Sequence, residues 1–227
     1  MNAVAYYSNT GQSRIIAKYL ADQSSFSLID IESECAKEYK SLVLVFPVYC
    51  QNIPDAVKSF LKNISADNLT VVATYGKMCC GNVLYEIQQC YQKNIVAAAY
   101  IPTKHSYIEN DHSFCDFDRL KPIVDKIKEP SYIQLPKLYK NPFANVSPRL
   151  RSRLGLTIQK SDKCIGCDLC GEHCSLGAIK RGKTNSKCMR CLRCVKSCPH
   201  KALKIKLSLP LKLYLRKKKT NKVIIYV

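Results

Sequence analysis

Eight of the fourteen cysteines stand in two copies of one run. The first reads Cys164-Ile-Gly-Cys167-Asp-Leu-Cys170-Gly-Glu-His-Cys174. The second reads Cys188-Met-Arg-Cys191-Leu-Arg-Cys194-Val-Lys-Ser-Cys198 and is followed by Pro199, where the first has Ser175. Three thiolates in seven residues can wrap three corners of a cubane while the backbone loops round it, so the fourth ligand must come from farther along the chain. A short apolar piece follows each run, Leu176 to Ile179 and Lys201 to Ile205, as expected of two equivalent loop–helix–strand halves. About fifty residues with so little apolar content can hardly fold alone, and metal binding would supply the missing folding free energy. Structural zinc fits poorly, because it calls for two C-x-x-C knuckles with four ligands in all. A disulfide framework fits worse. The chain opens directly into an apolar strand without a secretory signal, and disulfides do not persist in a reducing cytoplasm, where this protein is expected to reside.

The double run resembles the bacterial two-cluster ferredoxins. The resemblance implies two [4Fe-4S] clusters and electron transfer, with the fourth cysteine of each run crossing to the other cluster. Cys164, Cys167, Cys170 and Cys198 would hold one centre, and Cys188, Cys191, Cys194 and Cys174 the other.

The remaining length requires a second, larger domain. Its longest apolar stretches, Ser41 to Val48 and Ile95 to Ile101, are too short to cross a bilayer, so the expectation is a soluble protein. Five apolar runs read as strands: Ala3 to Tyr7, Phe26 to Ile31, Leu42 to Phe46, Leu69 to Thr74 and Ile95 to Ile101. Helical patterns lie between and after them. Gln12 to Ala21 places Ile15, Ile16, Tyr19 and Leu20 on one face; Pro54 to Asn63 opens on proline and buries Val57, Phe60 and Leu61; Gly81 to Gln92 and Phe117 to Lys128 behave alike. Apolar strands joined by helices imply an α/β doubly wound parallel five-stranded sheet, covered on both faces.

Such sheets bind ligands at the carboxyl ends of their strands. After the first strand comes Ser8-Asn9-Thr10-Gly11-Gln12-Ser13, then a helix. Its hydroxyls and backbone N–H groups make an anion site without lysine or arginine, which suits a phosphate monoester. Two further loops, Pro47-Val48-Tyr49-Cys50-Gln51-Asn52-Ile53-Pro54 and Thr74-Tyr75-Gly76-Lys77, bring an aromatic residue to the same edge. The six-residue loop resembles the S/T-x-T-G-x-T/S loop of flavodoxins, which cradles the phosphate of FMN. That resemblance implies a flavodoxin-like FMN domain. Ser8, Asn9, Thr10, Gly11, Gln12 and Ser13 would be at the phosphate; Pro47, Val48, Tyr49, Thr74, Tyr75 and Gly76 would flank the isoalloxazine, with Tyr49 and Tyr75 as stacking candidates or strand-end packing residues. The chain has no tryptophan for that role.

The other cysteines (35, 50, 79, 80, 90 and 115) read as small packing residues, although Cys79 and Cys80 near a helix start could be reactive. No catalytic residue is assigned. His105 and His112, with Glu109 and Asp111, either face a substrate or are solvated loop residues, and the second reading is preferred.

Residues 1–130 thus form the flavodoxin-like domain, 131–155 a linker, 156–206 the small α+β ferredoxin domain, and 207–227 a basic tail. Pro130, Pro136, Pro142 and Pro148 make the linker extended and semi-rigid, able to wrap on one domain. In the tail, alternating leucines, the basic Arg216 to Lys222 and the closing Val223-Ile-Ile-Tyr-Val227 suggest a hairpin with its leucine face packed inward. Charge divides unevenly. Residues 1–130 carry thirteen Lys or Arg against fourteen Asp or Glu, net −1; residues 131–227 carry twenty-three against three, net +20. That surplus predicts an acidic redox partner, an anionic small-molecule acceptor, or weak contact with an anionic membrane surface.

Together the two segments resemble the flavodoxin–ferredoxin fusion proteins of anaerobic bacteria and archaea, which implies electron transfer between clusters and FMN. A flavin-dependent reductase of a small-molecule acceptor is the alternative. A basic zinc or nucleic-acid-binding protein is disfavoured, because the chain carries none of the sequence signatures of RNA- or DNA-binding folds.

Overall fold

The apolar runs become parallel strands β1 (Asn2–Tyr6), β2 (Ser27–Asp30), β3 (Glu38–Pro47), β4 (Ser65–Tyr75) and β5 (Ile95–Pro102). The computed structural model describes residues 1–33, 36–108, 111–217 and 219–227. Cys35 and Glu109 lie outside them. β3 and β4 start earlier than their apolar centres suggest, because the half-polar stretches Glu38–Ser41 and Ser65–Asn68 pair with each other. The parallel strands run β2-β1-β3-β4-β5, the flavodoxin-like order.

Two-residue alternation sends Leu42, Leu44 and Phe46 to one face of the sheet, and Val43 and Val45 to the other. Helices α2 (Asp55–Asn63) and α3 (Val83–Tyr91) cover the first face with Val57, Phe60, Leu61, Leu84 and Ile87. Helices α1 (Gln12–Ser24) and α4 (Lys121–Lys128) cover the second with Ile16, Leu20, Ile123 and Ile127. Within α1, Ile15 is 49 % exposed, contrary to its predicted inward face, while Tyr19 packs on the core beside Phe117.

Residues 131–144 are no free linker. Ile133 N–H donates to Ile95 O, Leu135 N–H to Gln88 Oε1 and Leu138 N–H to Asn82 Oδ1, while Lys140 pairs with Glu86 at 2.7 Å. These bonds run the stretch along α3, and Leu135 joins the core. Met1–Ala144 and Lys219–Val227 form one compact unit; residues 145–217 belong to a second.

In the second unit, α5 (Pro148–Gly155) leads into β6 (Leu156–Lys160), which pairs antiparallel with β9 (Leu203–Leu207). Between them lie α6 (Leu169–Glu172), the hairpin β7 (Ile179–Lys180) and β8 (Lys183–Thr184), and α7 (Arg193–Ser197). Helix α8 (Leu209–Leu215) follows β9, starting with Pro210 in its first turn.

The predicted tail hairpin does not form. Leu203–Leu207 is a strand of the second unit and the next leucines are helical. The last apolar run is β10 (Ile224–Tyr226), which pairs antiparallel with β5 as the sixth strand of the large sheet. β5 would otherwise be a fully apolar edge, and β10 supplies it with hydrogen-bond partners.

Candidate functional site

The two cysteine runs fold as two copies of one backbone. Gly166 and Arg190, Asp168 and Leu192, and Gly177 and Lys201 each stand twenty-four residues apart in sequence, and all six have positive φ, between 47° and 78°. Left-handed backbone at a leucine or arginine is costly, and it persists where the surroundings enforce it. Corresponding N–H groups also reach corresponding sulfurs. Ala178 N–H lies 3.3 Å from Cys174 Sγ, and Ala202 N–H lies 3.4 Å from Cys198 Sγ. Such donors favour thiolate over thiol.

The fold brings Cys164, Cys167 and Cys170 of the first run round one cavity with Cys198 of the second, closed by Pro199, Ala202 and Leu203. Asp168 sits at its rim, its Oδ1 3.8 Å from Cys170 Sγ and accepting from Arg181 N–H at 2.6 Å. The other four cysteines gather as well. Burial, then the neighbouring Cys191, Cys188 and Cys174, pushes the Cys194 thiol up to about 12, and burial also raises Cys191, against the pull of the Arg193 N–H and guanidinium. Thiols crowded so far above their ordinary range are groups that a bound metal would stabilise as thiolates. Among the described residues no three His, Cys, Asp or Glu converge on a point for a single ion. The residues present fit iron–sulfur clusters: two quartets, a shared cavity at the first, and N–H donors to sulfur.

At the carboxyl edge of the large sheet, three loops are tied together. Ser13 Oγ and Thr74 Oγ1 are 2.9 Å apart, Val48 N–H donates to Thr74 O at 2.8 Å, and Asn9 Nδ2 donates to Tyr49 Oη at 2.6 Å and Tyr7 Oη at 3.1 Å. Gly11 has φ of 87°, and a Cβ there would meet nothing within 4 Å, so the N-terminus of α1 opens on free space. Ser8, Thr10, Gly11 and Gln12 are partly exposed around it, while Asn9 and Ser13 are buried as braces. Neutral donors at an open helix N-terminus fit the phosphate of FMN.

The ring end departs from expectation. Pro47, Val48, Tyr49 and Gly76 are partly exposed, but Thr74 and Tyr75 are buried. The Tyr75 ring, 3 % exposed, belongs to the core; its hydroxyl donates to Lys222 O at 2.7 Å and Thr220 O at 3.2 Å. Burial and the nearby Cys80 push it up to about 12, although the bond to Lys222 works the other way. Tyr75 is thus a packing residue that clasps the chain's end. Tyr49 keeps a partly open ring.

Sequence reasoning missed a polar cluster over the β4 loop. His105 stacks on Gly76, where an added Cβ would lie 2.5 Å from its Cδ2, and its Nδ1 accepts from Tyr107 N–H. Burial holds this imidazole down at about 4, so His105 is not the solvated residue expected, whereas His112 is exposed. Burial alone would raise Asp111, but N–H groups of His105 and His112 and the Lys77 ammonium, 2.9 Å away, hold it at about 2. Lys77 also donates to His112 O, and Thr220 N–H donates to Lys77 O. The one available signal was a histidine and an aspartate six residues apart after an apolar strand, which is too weak to locate a partner. Cys80 packs on the core, and burial pushes its thiol up to about 11, the opposite of a reactive helix-start cysteine.

Comparison with known proteins agrees with the cysteine pattern. The family model for the 4Fe-4S binding domain matches residues 183–204, which hold the second run. Among solved structures, a Bacteroides uniformis protein provisionally described as a flavoprotein is 18 % identical, covering 46 % of this chain and 91 % of its own at a TM-score of 0.38. The Trp repressor binding protein of Bacillus subtilis is 13 % identical, covering 57 % of this chain and 96 % of its own at a TM-score of 0.33. No curated protein matches. The flavodoxin-like assignment of the first unit therefore stands on its own strand order. Among the described residues no helix is long and apolar enough to cross a membrane.

Proposed function

We propose that this chain transfers electrons between two [4Fe-4S] clusters and an FMN within the cytoplasm, exchanging them with a redox protein or small-molecule acceptor. Clusters pass single electrons and FMN stores two, so the pair of modules would couple one-electron to two-electron chemistry. The observation that carries this reading is the gathering of three cysteines of the first run with the last cysteine of the second around one cavity. The repeated three-plus-one spacing supports clusters over zinc, which is more often held by paired C-x-x-C knuckles. Cys164, Cys167, Cys170 and Cys198 would ligate one cluster, and Cys188, Cys191, Cys194 and Cys174 the other. N–H groups of Ala178 and Ala202 would stabilise the sulfur charge. At the sheet edge, Ser8, Thr10, Gly11 and Gln12 would hold the flavin phosphate, Asn9 and Ser13 would fix the loop, and Tyr49 would face the ring.

The test is cofactor content after anaerobic purification: iron, acid-labile sulfide and FMN per chain. Two full clusters correspond to about eight iron and eight sulfide. One FMN beside them supports the whole reading. Full clusters without flavin would leave the first unit a scaffold, and zinc in place of iron would sink the reading altogether.

A further inference from the structure

The pairing of β6 with β9 sends two helices off the same end of the cysteine-rich unit. Leu156 lies opposite Leu207, Ser208 N–H donates to Gly155 O at 2.8 Å, and a Cβ on Gly155 would stand 3.1 Å from Leu211 Cδ2. Helix α5, before β6, and α8, after β9, are therefore neighbours by topology. Their outward residues are unusual for a water-facing pair. Leu150, Leu154, Leu209 and Leu213 are exposed by 46, 70, 68 and 54 %, and Tyr214 by 40 %. α5 buries no residue, and α8 buries Leu215 alone. Isolated exposed leucines are ordinary; five large apolar side chains at one end of a small unit mark a contact surface. Six cations accompany them: Arg149, Arg151, Arg153, Lys212, Arg216 and Lys217. Neither helix carries an acidic residue.

We propose that this end of the cysteine-rich unit docks on an anionic phospholipid surface, the leucines entering the acyl boundary and the cations meeting headgroup phosphates. Charge complementarity selects the occupant. Two helices of one charge sign, with no acid in their own sequences, fit a uniformly negative plane, and four to eight such cations on amphipathic helices are a usual number for that contact. The arginines alone would suit a protein interface too, but the apolar centre of such an interface would be expected to be aromatic, with leucine under-represented among the energetically dominant residues. Here the apolar members are aliphatic except for Tyr214. Its ring lies 5.8 Å from Lys217 Nζ and suits the headgroup level, where amphipathic rings sit. This inference is independent of whether the first unit holds flavin.

The experiment is co-sedimentation of the full-length, anaerobically purified protein with vesicles of equal parts phosphatidylcholine and phosphatidylserine, beside vesicles of phosphatidylcholine alone. Binding to the anionic vesicles that weakens with salt is expected. Leu209→Ser with Leu213→Ser should weaken it roughly tenfold or more, with iron content and visible absorbance unchanged. A second variant, Arg151→Gln with Lys212→Gln, should lower binding and flatten its salt dependence, and it leaves the leucines in place should the first variant disturb folding. No binding to anionic vesicles overturns the proposal. Binding indifferent to the serine variant overturns it too, since charge alone would then explain it. Self-association, or capture of an acidic redox protein, through the same leucines without vesicle binding would assign the face to a protein instead.

Discussion

The two units solve the stability problem in opposite ways. The flavodoxin-like unit holds both hydrophobic clusters found among the described residues, one on each face of its sheet, with Leu44, Phe46, Val71 and Val72 wholly buried. Its backbone is regular and its positive-φ residues fall at loops and helix ends. The cysteine-rich unit buries little beyond Leu156, Ile158, Ile179, Leu192 and Leu203, yet it bends Asp168, Arg181, Arg190, Leu192 and Lys201 into left-handed conformations within thirty-four residues. A weak core cannot enforce that much backbone strain; ligands bonded to a common centre can. The difference teaches where each fold's information lies: in apolar periodicity for the first unit, and in ligand spacing for the second.

Removing the ligands should break the comparison most violently. Structural metal sites contribute on the order of 10 kcal/mol to folding. Iron chelation, or Cys191→Ala, should therefore unfold much of residues 145–217. Loss of visible absorbance and of amide protection in that unit would report it, while the first unit keeps its own unfolding transition and any bound FMN. Concerted loss of both units would refute their independence. The mirror-image change is Phe46→Ala, which leaves a cavity in the first unit at a cost of about 3–5 kcal/mol. Its thermal midpoint should fall with iron content untouched.

A smaller effect separates the sites rather than the folds. Thr10→Ala removes a hydroxyl from the loop at the α1 N-terminus. Loss of a hydrogen bond to a charged group costs about 1.5–3 kcal/mol, so FMN affinity should drop roughly tenfold to a hundredfold in equilibrium titration. Iron per chain should not change. An unaltered FMN affinity would remove this loop from the phosphate site.

Legibility followed the same division. All five parallel strands and the four helices of the first unit lie within a few residues of where periodicity puts them, because each buries a face and the apolar pattern records it. The crossed grouping of the eight cysteines came from the resemblance to two-cluster ferredoxins, and the fold lines one cavity with Cys164, Cys167, Cys170 and Cys198, although Leu192 and Arg190 give no hint of left-handed backbone. What failed was non-local. Val223 to Val227 reads as a strand but says nothing of its partner, and proximity in sequence suggested the leucine run before it; the partner was the apolar edge of β5, more than one hundred and twenty residues earlier. Tyr75 was left open between stacking and packing for the same reason. A tyrosine at a strand end looks available until a distant segment supplies carbonyls for its hydroxyl.

The pH response should sharpen the contrast further, since the first unit carries a partly buried histidine with a much-lowered pKa. His105 drops from 6.5 to about 4 on folding, chiefly through burial, with Lys219 adding to the effect and Asp111 opposing it. The unfolded chain then binds the extra proton first, so stability is lost as pH falls from about 6.5 toward 4, by up to roughly 3 kcal/mol. Asp111 has the carboxylate sense, 3.8 going to about 2, and its contribution, present above 3.8, disappears over that lower window. His105→Gln should flatten the loss between pH 6.5 and 4 in denaturant titrations of the first unit and leave the fall below pH 4. A variant as acid-sensitive as the parent would place the responsible group elsewhere.

The smallest expected effect tests the seam by which the chain's end belongs to the first unit. Tyr75→Phe keeps the ring in the core but removes the hydroxyl that donates to Lys222 O and Thr220 O, leaving two carbonyls short of a donor. Water can reach Thr220 and Lys222, which are exposed, so the cost should be about 1 kcal/mol rather than the larger penalty of a sealed acceptor. That free energy should appear locally. β10 is held to β5 through three residues, and amides of Ile224–Tyr226 should exchange roughly fivefold faster, while those of β3 and β4 keep the protection of the global core. Equal acceleration throughout the sheet would mean that β10 is part of the cooperative core. Acceleration confined to β10 makes the last strand a clasp, closed by one tyrosine that the sequence had left between a flavin-facing ring and a strand-end packing residue.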